Sequence, residues 1–80
     1  MKLGIYKHSK TGKLYRVIGV AKHSETLEDL VVYEAIYENP TSKLWARPKE
    51  MFLGNVIING KEIERFQKID QEILIKPNNL

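Results

Sequence analysis

The chain has no cysteine among its 80 residues. This absence excludes disulfides, thiolate zinc sites and cysteine nucleophiles, and it suits a reducing compartment. Long apolar runs are missing as well. The first ten residues carry only a short apolar patch at residues 3–5, which predicts no signal peptide, and no stretch approaches the roughly 18 apolar residues of a membrane span. We therefore expect a cytoplasmic protein that does not associate with membranes.

Signatures of common chemistries are also absent. The sequence has no phosphate-binding loop, dinucleotide fingerprint, zinc spacing or nucleophile elbow. Eighty residues also rarely build a deep cleft that excludes water. We therefore predict no cofactor and no bound metal, and a binding role is favoured over an enzymatic one.

Charge is present but unevenly distributed. Residues 1–22 contain six basic side chains and no acid, whereas residues 23–80 contain seven basic and ten acidic side chains, giving a net charge of +3. A basic segment of this kind could present a positive face to phosphate or nucleic acid. The alternative, which we favour on charge alone, is that lysines at strand edges prevent association between sheets.

Short β-branched and aromatic segments between Gly and Pro turns predict a single, mainly β domain over residues 1–80. The expected strands are residues 3–8, 13–21, 30–37 and 43–46, a hairpin at 55–66 around Asn59-Gly60, and a last strand at 73–76. Residues 48–52 predict one helical turn. About five short strands suit a small SH3-like barrel or a strongly bent antiparallel sheet, and we prefer the barrel because it closes the sheet edges.

Alternation along the strands predicts which side chains share a face. On the third strand, Val31, Tyr33, Ala35 and Tyr37 share one side. On the second strand, the corresponding set is Tyr15, Val17, Gly19 and Ala21. Both faces of these strands are largely apolar, so we expect the strands to be central and covered on both sides. If the two strands pair, Arg16 and Glu34 could meet across them.

The connector "KHSETLED", residues 22–29, allows two interpretations. It is a polar turn in which the hydroxyls of Ser24 and Thr26 bind nearby backbone groups. Alternatively it is a site, because His23 and Glu25 share a side of an extended segment and the carboxylate could orient the imidazole. With His8 these two residues could form a metal set of two histidines and one carboxylate, which we consider the weakest option.

Two further pairs combine an aromatic ring with a polar group at a spacing of two residues. Tyr6 and His8 are expected to share a face, as are Trp45 and Arg47. The Arg47 guanidinium could hold a phosphate or carboxylate above Trp45 as a stacking surface. The alternative is that Trp45 belongs to the core or its rim and Arg47 caps it. Arg65, next to Phe66, presents the same alternatives.

Four segments, "GIYKH", "GKLYRVIGVAKHSETLEDLVVYEAIY", "LWARPKEMF" and "NGKEIERF", resemble the small bacterial family called domain of unknown function 1653. The resemblance covers residues 4–66 and leaves residues 67–80 as a C-terminal extension. "HSET" and "W-x-RP-x-x-MF" are its most distinctive motifs, while Ala46 stands where the family usually has valine and Glu64 where it often has proline. The family name assigns no activity. The resemblance implies that "HSET" is a site or a fixed polar network rather than an ordinary turn.

These observations predict a binding module with one groove that holds an anionic ligand, a nucleic acid or a peptide. The predicted ligand-binding residues are His8, His23, Ser24, Glu25, Thr26, Trp45, Arg47 and Arg65. The alternatives are an accessory or catalytic domain that uses His23 as a base oriented by Glu25, and a purely structural interaction domain.

Overall fold

The computed structural model describes residues 1–69. Its elements are β1 (Gly4–His8), β2 (Leu14–Lys22), β3 (Asp29–Ala35), β4 (Leu44–Pro48), α1 (Lys49–Phe52), β5 (Asn55–Ile58), β6 (Lys61–Glu64) and β7 (Phe66–Lys68). The prediction of a mainly β chain with one short helical turn is confirmed. The strand predicted at 73–76 lies outside the described residues. Within residues 1–69, no helix has the length and apolar character needed to cross a membrane.

Five strands form one antiparallel sheet in the order β4-β3-β2-β1-β7, and β5 pairs with β6 as a separate hairpin. The expected antiparallel sheet of five strands is therefore confirmed. No ladder joins β4 to β7 among the described residues, so no closed barrel forms there and the SH3-like barrel is unconfirmed. The sheet is nevertheless bent, because Arg47 on β4 reaches the ring of Phe66 on β7.

The hairpin turn has the predicted chemistry. Asn59 and Gly60 have φ angles of 53° and 76°, the left-handed conformations that a two-residue type I′ turn requires. The second hairpin strand ends at Glu64 rather than Phe66. After Arg65 the chain joins the main sheet, where Phe66 lies directly opposite His8 on β1.

The core lies on the concave face of the sheet. Its buried cluster consists of Tyr6, Val17, Val31, Tyr33, Phe52 and Phe66. Alternation on β3 correctly predicts the buried side chains of Val31, Tyr33 and Ala35. Pro48 precedes α1 as its N-cap instead of occupying the first helical position, and α1 carries Phe52 into the core. The Phe52 ring stacks on Phe66 with 4.0 Å between centroids. This aromatic contact stabilises the core in addition to the apolar area that the two rings bury.

A β-bulge changes which side chains of β2 face the core. Val17 lies opposite Tyr33, but the pairing then shifts, and Val20 rather than Gly19 shares the side of Val31. One additional residue reverses the alternation, so the face predicted for β2 is wrong beyond Val17. The second strand is central as expected, but it is not covered on both sides, because Ile18 keeps 47% of its surface exposed.

Arg16 and Glu34 are direct cross-strand partners, as the sequence predicted. Their charged atoms are 3.8 Å apart, and half of the Arg16 side chain is exposed. An exposed ion pair of this kind contributes about 0–1 kcal/mol. The pair therefore reports the register between β2 and β3 more than it stabilises the fold.

Candidate functional site

A pocket of about 260 Å³ opens on the concave face of the sheet, and we call it the aromatic pocket. It is lined by His8, Thr11, Tyr15, Tyr33, Tyr37, Asn39, Trp45, Arg47 and Phe66. These residues come from five strands and from the loops that follow β1 and β3. Six of them carry a ring, and none of these nine residues carries a carboxylate. The pocket thus combines ring surfaces with uncompensated positive charge.

Arg47 supplies that charge. Its Nε donates to the Tyr33 hydroxyl at 3.3 Å, and its Cζ lies 5.5 Å from the centroid of Phe66. Among residues 1–69, its terminal nitrogens make no hydrogen bond and no ion pair. The guanidinium is therefore held in position by the hydrogen bond of its Nε and by the Phe66 ring. The N–H donors of its two terminal nitrogens remain available for a ligand.

Two tyrosine hydroxyls and one amide form a short network on the wall of the pocket. The Asn39 Nδ2 donates to the Tyr37 hydroxyl at 2.9 Å, and the hydroxyls of Tyr37 and Tyr15 are 2.7 Å apart. Burial, and then the hydrogen bond to Tyr37, raise the pKa of Tyr15 well above its usual range. The Tyr15 phenol therefore remains neutral at physiological pH and acts as a hydrogen-bond group.

His8 lies with its ring edge-on to Phe66, at 4.9 Å between centroids. Its Nδ1 accepts the backbone N–H of Lys10 at 3.2 Å, so the neutral ring carries its proton on Nε2. Partial burial, followed by the positive charges of Arg47, Arg65 and Lys10, lowers the pKa of His8. The histidine is thus a neutral donor in a positive environment.

Trp45 forms a half-buried wall of the aromatic pocket, packed against the core. Its indole N–H donates to the Ser42 carbonyl at 3.0 Å, so the ring is oriented and its only donor is used. Lys13 Nζ lies 4.7 Å from the ring centroid of Tyr37, another residue that lines the pocket. This cation–π contact places a second positive charge at the rim.

Arg65 does not line the aromatic pocket. Its Nε donates to the Met51 carbonyl at 3.3 Å, and its backbone N–H donates to Gly54 at 2.9 Å. Its own carbonyl accepts from Ser9 at 2.8 Å. Arg65 therefore fastens α1 and the hairpin to the turn after β1, and it affects the pocket through its charge near His8.

The four residues His23–Thr26, which we call the HSET turn, form the exposed connection between β2 and β3. The His23 Nδ1 accepts backbone N–H groups of Glu25 and Thr26, at 3.1 and 3.3 Å. The Thr26 hydroxyl accepts the N–H of Glu28 at 3.2 Å. The imidazole is thus oriented by backbone groups rather than by the Glu25 carboxylate. These contacts are those of a polar turn that satisfies its own backbone.

The structure separates the HSET turn from the aromatic pocket. His8 lies at the end of β1 that leads into β2, and His23 follows the far end of β2, which spans nine residues or on the order of 25 Å. The single groove expected from the sequence therefore forms only in part. His8, Trp45 and Arg47 converge, whereas none of residues 23–26 lines the pocket. A ligand-binding role for His23, Ser24, Glu25 and Thr26 stays a prediction.

The same separation rules out the metal set of His8, His23 and Glu25. In the part of the chain that the structure describes, no group of three or more His, Asp or Glu side chains is placed to hold a metal ion. A metal bound by protein side chains usually needs at least three convergent ligands.

Sequence reasoning missed Tyr15, Tyr33, Tyr37 and Asn39 as site residues. A signal was present, because alternation already placed the three tyrosines on the inner faces of neighbouring strands. Because these strands are expected to be covered on both sides, the pattern gives the three tyrosines no role beyond packing. Tyr33 does pack in the core, where it is 4% exposed, but its hydroxyl still reaches Arg47.

Other depressions among the described residues have volumes of about 520, 730 and 320 Å³. The first is lined by charges of both signs, including the paired Arg16 and Glu34. The second lies between the N-terminus and β7 and also mixes Lys and Glu. The third, beside α1, combines Lys49 with three carboxylates. None of them combines several rings with a guanidinium that lacks a carboxylate partner, so the aromatic pocket is the better candidate.

Comparison with known proteins gives one family and one solved fold. A family model described as "Protein of unknown function (DUF1653)" matches residues 4–68. The chain is similar to a crystal structure of a protein belonging to DUF1653 from Bordetella bronchiseptica, with a TM-score of 0.81 and 28% sequence identity. That similarity covers 86% of this chain and 87% of the other. Among curated proteins, none matches the sequence.

Proposed function

The chain belongs to the DUF1653 family of proteins of unknown function, and from this premise we propose that it is a one-domain binding module that holds an anionic ligand in the aromatic pocket. The family resemblance seen in the sequence is thereby confirmed. Because the chain has no cysteine and its relatives are expected in bacteria, we place the module in the bacterial cytoplasm.

The unpaired fork of Arg47 is the observation that supports the proposal most directly. A half-buried guanidinium usually has a carboxylate partner, because an uncompensated charge away from water is unfavourable. The described residues give Arg47 no such partner, only the Tyr33 hydroxyl and the face of Phe66. A carboxylate or phosphate from a ligand would complete the fork with charge-assisted hydrogen bonds.

The neighbouring polar groups add donors rather than acceptors. The Tyr33 oxygen already accepts from Arg47, which leaves its own proton for a ligand. His8 offers Nε2–H because its Nδ1 is occupied. The hydroxyl pair of Tyr15 and Tyr37 needs only one of its two protons internally. A pocket lined by donors is complementary to an oxyanion.

The test is a titration of the isotope-labelled chain with inorganic phosphate, nucleotides, short oligonucleotides and acidic peptides, followed by amide and side-chain NMR shifts. At least one anion is expected to shift His8, Trp45 and Arg47. Arg47→Met keeps an apolar stem over Phe66 and should abolish the shifts, whereas Arg16→Met removes the same charge outside the pocket and should leave them. If no anion shifts these three residues, the proposed function is wrong.

The hydrogen bonds of the HSET turn favour a structural role for that segment. His23 and Thr26 both serve backbone groups of their own turn. The catalytic alternative required the Glu25 carboxylate to orient His23, and backbone N–H groups do so instead. We therefore propose that the turn maintains the β2–β3 connection while the aromatic pocket binds the ligand.

A further inference from the structure

The following inference rests on the proposed anion-binding function and narrows it. We propose that the ligand is single-stranded nucleic acid, with one base inserted among the rings of the aromatic pocket and its phosphates held by Arg47, Lys10 and Lys13. The juxtaposition of fixed, partly exposed rings with this row of cations carries the inference.

The pocket has more aromatic surface than the binding of a simple anion requires. Tyr15, Tyr37 and Trp45 are each half-buried, and hydrogen bonds fix the polar end of each one. All three residues line the cavity. Its volume of about 260 Å³ equals that of eight or nine water molecules at about 30 Å³ each, which is room for a flat ring system as well as an oxyanion. Aromatic side chains that are held in place are the usual platform for an unpaired base.

The cations extend beyond the pocket along one side. Lys10 and Lys13 belong to the turn between β1 and β2, and Lys13 Nζ lies over the Tyr37 ring at 4.7 Å. The backbone N–H of Lys10 donates to the Nδ1 of His8 at 3.2 Å, which places this residue next to the pocket. With Arg47, three positive residues therefore lie in or next to the pocket. A ligand with a single anionic group would use one of them, whereas a phosphate chain can use all three.

This arrangement favours a single strand over a duplex. The rings line the pocket, so a base must leave its stack to enter among them, and this is costly in a paired helix. A phosphotyrosine peptide also offers a ring and a phosphate. It carries that charge at one point, so it accounts for Arg47 but not for the two lysines.

Trp45 is the only tryptophan in the chain and forms a wall of the pocket, so its fluorescence reports the site directly. The full chain would be titrated with an oligothymidylate, the corresponding duplex, inorganic phosphate and a phosphotyrosine peptide. The single strand is expected to quench Trp45 and to bind more tightly than the other three probes. Each neutralised phosphate of a single strand contributes about −0.7 to the slope of log K against log salt, so three contacts predict a slope of about −2.

Matched variants separate the contributions. Lys13→Ala should reduce the magnitude of that slope by about 0.7. Lys7→Ala removes the same charge from an exposed side chain on the convex face of β1 and should leave both slope and affinity unchanged. Arg47→Met should weaken oligonucleotide binding by about tenfold or more, since it removes a charge-assisted contact. The amide spectrum of each variant verifies that the fold is retained.

The outcomes distinguish this inference from the function on which it rests. If phosphate or the phosphotyrosine peptide quenches Trp45 and the oligonucleotide does not, the nucleic-acid inference is overturned and the anion pocket stands. Equal binding of single strand and duplex, or equal effects of Lys13→Ala and Lys7→Ala, also overturns it. If no anion affects Trp45 or the pocket resonances, both proposals fall.

Discussion

The guanidinium of Arg47 lies over the ring of Phe66, with 5.5 Å between Cζ and the ring centroid, and so connects the two edge strands of the sheet. The Phe66 ring in turn stacks on Phe52, with 4.0 Å between centroids. Arg47, Phe66 and Phe52 therefore form a continuous series of contacts on the inner side of the sheet. One side chain thus supports the bend of the sheet and supplies the charge of the aromatic pocket.

Protonation of His8 should couple to stability. Burial and neighbouring cations lower the pKa of His8 below the 6.5 of an unperturbed histidine, so between these two pKa values the folded state binds fewer protons than the unfolded state. The stabilising contribution is complete above about pH 6.5 and is lost as the pH falls through the folded pKa. When the pH is lowered through this range, urea unfolding should show a smaller decrease in the free energy of unfolding for His8→Gln than for the natural chain. Parallel pH profiles would contradict the expectation.

The network of tyrosine hydroxyls predicts which of two variants loses more stability. Tyr15→Phe removes one hydrogen bond and should cost about 1 kcal/mol in the free energy of unfolding. Tyr37→Phe should cost more, about 1–2 kcal/mol, because it leaves the Asn39 amide without its acceptor as well as the Tyr15 hydroxyl without its partner. Urea denaturation measures both, and the reverse order would show that the network is not as described.

The HSET turn provides a matched pair of hydroxyls. Thr26→Ala removes the acceptor of the Glu28 N–H and should lower the free energy of unfolding by about 1 kcal/mol. The Ser24 hydroxyl makes no hydrogen bond within residues 1–69, so Ser24→Ala should be nearly neutral. The sequence alone gave no reason to separate the two. Equal effects in thermal or urea unfolding would disprove this account of the turn.

Leu27 occupies an unfavourable backbone conformation. Its φ is 63°, in the left-handed region that residues with a branched side chain avoid, and its side chain is 67% exposed. Leu27→Asn should therefore stabilise the chain by on the order of 1 kcal/mol, since asparagine tolerates this region. Leu53 is similarly exposed with a φ of −84°, so Leu53→Asn is the control and should not stabilise. Stabilisation by both variants would point to a general effect of removing exposed leucine.

Local patterns were sufficient for much of the fold. Alternation predicted the inner face of β3, and Asn59-Gly60 predicted its turn, because both depend on neighbouring residues. The shared faces of Trp45 with Arg47 and of Tyr6 with His8 follow from the same rule. The bulge after Val17 was not predicted, although Gly19 beside it is an isolated glycine inside a strand, which is typical of a bulge.

Long-range relations were predicted less well. The metal set suggested by the sequence required His8 and His23 to converge, but in an antiparallel hairpin the residue before the turn and the residue after the second strand lie at opposite ends. The pairing of His8 with Phe66 joins positions far apart in the sequence, and no local signal encodes it. The aromatic pocket depends on that pairing, so only part of it could be predicted.

The walls of the pocket come from positions as early as His8 and as late as Phe66, with every strand of the main sheet represented. A bound ligand would therefore contact residues from both the beginning and the end of the described chain and hold them together. At a concentration one hundred times its dissociation constant, such an occupant adds about 2.7 kcal/mol to the free energy of unfolding. For a domain with only about 5–15 kcal/mol in total, the supply of ligand in the cell would then help to set how long each molecule survives.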